Sequence, residues 1–175
     1  MFFLFKLILL LLVFVVSSLI GFLIANRYSK RVKELEDFLL SLELFETKIT
    51  YTYDDLIETF TYISENLKTK IYRIYFITAE KLRENVNMSA GDIFRNVVDE
   101  ERIFLELNAR EIETIKNLSV SLGQLDVESQ IKNIKLTSQM TQTLLQNAYE
   151  ENRKNFKLYR NMGMLGGLVL IILLI

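Results

Sequence analysis

A chain of 175 residues has room for one domain with appended segments, and a formal net charge of −1 gives no electrostatic footprint for nucleic acid. Cysteine and histidine are both absent, which excludes disulfides, thiolate chemistry, an imidazole base and the usual zinc ligand sets. Proline is absent too and glycine occurs only six times, so little interrupts a helix, and the expected fold is all-α.

The first element is an apolar segment. Leu7 to Ala25 carries no charge over 19 residues, close to the ~20 needed to cross a hydrocarbon core of ~30 Å. A cleaved secretory signal is the alternative, but the basic region before it is a single Lys6 and no clean small-residue cleavage site follows. An uncleaved transmembrane helix is therefore expected over residues 1–26 with its flank. Within it Ser17, Gly21 and Ala25 recur at intervals of four, a row of small residues that lets helix backbones approach closely in lipid.

The middle, residues 27–161, reads as a helical bundle. From Val32 the apolar positions Leu35, Leu39, Leu42, Phe45 and Ile49 continue the first helix as a stripe. Asp54 and Asp55 offer an N-cap before Leu56, Ile57, Phe60 and Ile63. A third stripe runs Ile71, Ile74, Thr78, Leu82. Ser89 with Asp92 resembles a capping box ahead of Ile93, Phe94, Val97 and Val98, and Asn108 with Glu111 repeats the signal ahead of Ile112, Ile115, Leu118 and Leu122. Gly123 follows as a helix stop, and Asp126 as the N-cap of the last element. That element runs unbroken from Val127 toward Ile175, and its stripe turns polar at Ser138, Thr141, Gln142 and Gln146. Those positions face solvent, pack loosely within the bundle or meet another subunit. About six antiparallel helices are expected, the first and last continuous with the membrane segments.

The second apolar segment, Met162 to Ile175, has 14 residues and spans only ~21 Å as a helix. Tyr159 and Arg160 extend it, the guanidinium reaching back to the headgroups, so a transmembrane helix is expected over 162–175. Gly163 and Gly167 stand four apart here, at a depth similar to Gly21 and Ala25, which implies an intramolecular hairpin or a homo-oligomeric contact. Arg27, Lys30, Arg31 and Lys33 follow the first segment, while Arg153, Lys154, Lys157 and Arg160 precede the second. By the positive-inside rule these flanks place the bundle in the cytoplasm and both chain ends on the far side.

Chemistry-bearing patterns are sparse. No phosphate-binding glycine loop, nucleophile–base set or metal-ligand spacing occurs, so the reading is non-enzymatic, with no cofactor and no metal. Asp99, Glu100 and Glu101 form the densest acidic run, read chiefly as a solvated helix end against a divalent-cation site with oxygen ligands, and as candidates for a charged docking face. Between Glu34 and Asn152 stand 12 basic and 22 acidic residues, a net −10, against four cations in each flank. The flanks hold to anionic lipid and the acidic bundle stays off it.

The residues also resemble a family, the stage III sporulation protein AB family of endospore-forming bacteria. The resemblance covers the chain in order through "GFLIANRYSKRVKELE", "SLELFETKITY", "SLGQLDVESQ" and "KNFKLYRNMGMLGGLVLIILLI". It rests most on Gly21, Ala25, Arg27, Tyr28 and Arg31 at one end, with Lys157, Leu158, Tyr159, Arg160 and Gly163 at the other. The resemblance implies a component of the mother cell–forespore channel complex, similar to the F-type inner-membrane platforms of type II secretion. It implies a secretion-type ATPase in the mother-cell cytoplasm and membrane ring subunits as partners, and it singles out Glu46, Gly123, Asp126 and Gln130 as matching family positions, for bundle integrity or partner contact. The alternative function is a membrane-tethered helical signalling or adaptor module.

Overall fold

The structure is a computed structural model that describes residues 2–51, 55–84, 88–122 and 126–174. Among these residues the chain forms six α-helices and no strand: α1 (Phe2–Tyr51), α2 (Leu56–Asn66), α3 (Ile71–Glu84), α4 (Ala90–Glu101), α5 (Ala109–Asn117) and α6 (Val127–Leu174). Short 3-10 turns follow α4 at Arg102–Phe104 and α5 at Leu118–Ser121. Two compact units result, one built from Met1–Lys30 with Ala148–Ile175, the other from Arg31–Asn147. Without proline, α1 and α6 run unbroken for 50 and 48 residues, and each contributes to both units. Both are long and apolar enough to cross a membrane, so the all-helical reading with a candidate span toward each end describes the chain.

Most helix starts follow their sequence signals. The Ser89 hydroxyl accepts from the Asp92 amide at 3.2 Å. At α5 the box closes in both directions, Glu111 N–H to Asn108 Oδ1 at 3.0 Å and Asn108 N–H to Glu111 Oε2 at 2.8 Å. Asp126 caps α6 by accepting from the Ser129 amide at 3.0 Å and the Ser129 hydroxyl at 2.8 Å. These donors, the amide first, hold the Asp126 carboxyl below its usual range.

Two starts and stops differ from expectation. Asp55 occupies the N-cap position of α2, yet its side chain makes no capping bond; its carbonyl receives the Thr59 amide at 2.9 Å instead. Asp54 and Gly123 lie outside the described residues. The stripe from Ile112 to Leu122 is not one α-helix: α5 ends at Asn117 and tightens into a 3-10 turn. Side chains compete for the carbonyls there, the Ser121 hydroxyl donating to Leu118 O at 2.8 Å and Asn133 Nδ2 to Asn117 O at 3.4 Å.

The core of Arg31–Asn147 draws on every helix. Phe38, Leu42 and Phe45 of α1 meet Phe60 and Ile63 of α2, Ile71, Ile74 and Tyr75 of α3, Phe94 and Val97 of α4, Ile115 of α5 and Ile134 of α6. Phe60 is its hub, with ring centroids of Phe45, Tyr75 and Phe94 at 5.6, 5.7 and 6.1 Å. Gly91 allows α4 to close on the second 3-10 turn, since a Cβ there would lie 2.4 Å from Ser119 O.

Tyr75 is fully buried and places its hydroxyl 2.6 Å from Ser41 Oγ, while Ser41 donates onward to Phe38 O. Burial raises the Tyr75 phenol well above its ordinary value of 10, and the Ser41 bond offsets only part of that. The folded state therefore keeps this proton where the unfolded chain releases it. The contribution is fully present below pH 10 and is lost as pH climbs toward the raised value, by up to ~1.4 kcal/mol per pH unit. Denaturant melts between pH 9 and 11 should show a steeper loss for the natural chain than for Tyr75→Phe. Parallel slopes would remove Tyr75 as the cause.

Candidate functional site

In the unit built from both chain ends, α1 and α6 pack antiparallel on small residues. A Cβ on Gly21 would lie 2.6 Å from Gly163 Cα and 2.8 Å from Tyr159 O; one on Gly163 would lie 2.8 Å from Gly21 Cα. The two backbones touch, which no side chain larger than hydrogen permits. The Ser17 hydroxyl donates to Gly163 O at 2.9 Å, and Gly167 packs under Phe14 and Ser17. Ala25 is fully buried in the same row. Toward the charged flanks Tyr28 stacks on Tyr159 at 5.7 Å and Ser29 donates to Asn152 Oδ1 at 3.1 Å. The row of Ser17, Gly21, Ala25, Gly163 and Gly167 is thus brought together within one chain. Around it Ile8, Leu12, Leu19, Leu165 and Leu168 stay exposed, the surface that a membrane helix presents to lipid.

The flanking cations divide. Arg27, Lys30, Lys33, Arg153, Lys154, Lys157 and Arg160 are exposed, and Arg160 lies over the Phe156 ring at 5.9 Å. Arg31 is different. Its guanidinium, 13% exposed, binds the fully buried Glu111 carboxylate at 2.7 to 3.1 Å. It therefore belongs to the bundle rather than to a lipid-facing collar.

Arg31 is one of a set that sequence reading missed. Glu34 receives the Glu106 amide at 2.8 Å. Asp37 receives the Lys68 and Thr69 amides through one oxygen. With Ser41 on Tyr75, four polar residues of α1 pin α5, the two connections before α3 and α5, and α3 itself. Such buried polar groups are stable only when bonded, and each of these is. The signal was present in the spacing: Glu34, Asp37 and Ser41 each stand one residue before a core position, Leu35, Phe38 and Leu42.

The acidic run is also divided. Glu101 is buried and paired with Arg73 at 2.5 Å. Asp99 pairs with Lys116 at 2.6 Å, and Glu100 with Lys81 at 2.7 Å. Glu46 meets Lys135 of α6 at 3.4 Å, and the Gln130 amide donates to Asp126 O at 2.9 Å in the first turn of α6. An open cleft of about 470 Å³ lies beside Lys81, Glu84, Met88, Asp99 and Glu100. No cluster of three or more metal-ligating side chains occurs among the described residues.

A family model described as stage III sporulation protein AB matches residues 6–175. Stage III sporulation protein AB of Bacillus subtilis (strain 168) is 26% identical over 160 residues, 91% of this chain and 93% of that protein. A solved structure of stage III sporulation protein AB superposes with a TM-score of 0.66 at 21% identity, covering 70% of this chain and 96% of the solved one, a likeness of fold. The match through nearly the whole length, from the first apolar segment to the last, shows that the chain belongs to the stage III sporulation protein AB family.

Proposed function

We propose that this chain is a non-enzymatic membrane platform of the mother cell–forespore channel complex in sporulation. The bundle faces the mother-cell cytoplasm and docks a secretion-type ATPase. The paired apolar helices sit in the membrane surrounding the forespore and couple that engagement to ring-forming membrane subunits. The observation that carries the reading is the continuity of α1 and α6, each of which serves both the apolar pair and the bundle without a break. A load on the bundle then reaches the apolar pair through hydrogen-bonded helix rather than through a loop. The family membership and the two candidate spans support the same reading.

The test is binding of the full chain, reconstituted in nanodiscs, to the sporulation ATPase across a salt series. Salt-sensitive binding that weakens about tenfold in Glu100→Lys is the expected result. Absence of binding by a folded bundle would overturn ATPase docking and shift attention to the apolar helices.

A further inference from the structure

Between Lys135 and Glu150, α6 carries fourteen consecutive residues without a charge, in a chain where a quarter of all residues are charged. Its inward positions are accounted for. Ile134, Thr137, Thr141 and Leu144 are buried, and the threonine hydroxyls bond the helix's own carbonyls at 2.9 and 2.8 Å. The outward positions need a separate explanation, because a solvated helix face ordinarily interleaves charges. Leu136 is 55% and Met140 40% exposed, and exposed Thr143 and Asn147 continue the row at spacings of four, three and four. Thr143 turns its hydroxyl to Gln139 O at 3.1 Å. That spacing is the seam of two helices lying side by side.

We propose that this row is where two copies of the chain meet, α6 against α6, parallel and in register. The inference rests on the membrane-anchored reading. Copies inserted in one membrane share a direction, so a two-fold axis relating them runs along the membrane normal. Helices at such an axis are parallel, and each residue on the seam faces itself. A charge there would face its own like, whereas a partner of different sequence is matched by opposite charges. The row from Leu136 to Asn147 obeys the first rule and gives nothing to the second. Asn147 pairs amide to amide with its copy, a contact that fixes register. Glu150 stands at the next seam position on one side, and on the other Asn133 turns its amide into the bundle onto Asn117 O and Ser121 Oγ, which bounds the contact to about 18 Å of helix. So short a seam holds only when anchoring raises the effective concentration of the two helices.

The chain contains no cysteine, so one introduced thiol reports one position. Met140→Cys in the full chain, reconstituted in lipid and mildly oxidised, should give a dimer. Tyr72→Cys on α3, at the same 40% exposure, should not. Adding Met140→Glu to Asn147→Cys should lower its cross-linking about tenfold, with helix content unchanged by circular dichroism. Equal cross-linking at Tyr72 and Met140, or an Asn147 yield indifferent to Met140→Glu, overturns the proposal. Alkaline washing of membranes tests anchoring separately. A chain retained by the membrane but not cross-linked at Met140 sinks the dimer and leaves anchoring intact, while a released chain overturns both.

Discussion

Gly21→Leu is expected to separate the antiparallel pair formed by the two apolar segments. Even the first added carbon would stand 2.6 Å from Gly163 Cα and 2.8 Å from Tyr159 O, and both obstacles are backbone that no rotamer change removes. The helices must move apart, which forfeits the Ser17 bond to Gly163 O and the packing of Gly167 on Phe14, at a cost of about 2–3 kcal/mol. Gly166→Ala is the matched control, since its nearest neighbour is the Ser17 hydroxyl at an ordinary 3.6 Å, and it should change stability by less than about 0.5 kcal/mol. Short-arm cross-linking of a Tyr28→Cys, Tyr159→Cys chain reads the outcome. Yield should collapse with Gly21→Leu and persist with Gly166→Ala. An unchanged yield in both would mean the glycine row does not hold the pair.

Glu111→Ala should be the most damaging single change in the bundle. Its carboxylate is fully buried, binds the Arg31 guanidinium through both oxygens and closes the capping box of α5. Removing one member of a buried ion pair typically costs about 3–5 kcal/mol, because the remaining charge is stranded away from water. Loss of the box adds about 1 kcal/mol. For a unit of this size the sum corresponds to a fall in melting temperature of roughly 15–25 °C, read by circular dichroism in detergent. Replacing both partners, Arg31→Met with Glu111→Leu, should recover part of the loss, since the second charge of the pair is then removed with the first. A double variant as unstable as Glu111→Ala alone would assign the damage to the cap rather than to the pair.

Long apolar segments and periodic stripes are strong local signals, and the six helices and the unbroken course of α6 were legible from them. Capping residues carry their partner within three positions, so Ser89, Asn108 and Asp126 were readable as well. Contacts between distant residues were not. Arg31 sits among flanking cations and looks like one of them until Glu111, 80 residues away, is brought beside it. The acidic run looked like one face, yet packing buries Glu101 and leaves Asp99 and Glu100 on separate lysines. The pairing of Gly21 with Gly163 lay between these cases. Spacing of four exposed both small rows, but only packing shows that the two rows close on each other within one chain.

The polar flank of α1 also orders events in time. The bonds of Ser41 and Asp37 to Tyr75 and the amides of Lys68 and Thr69 span 31 to 34 residues, while that of Glu34 to the Glu106 amide spans 72 and that of Arg31 to Glu111 spans 80. A ribosome adding about 5–20 residues per second completes the near pair about 2 to 7 seconds before the far pair. During synthesis these four contacts therefore become possible in order from Ser41 back toward Arg31, and the ion pair of Arg31 with the buried Glu111 is the last of them.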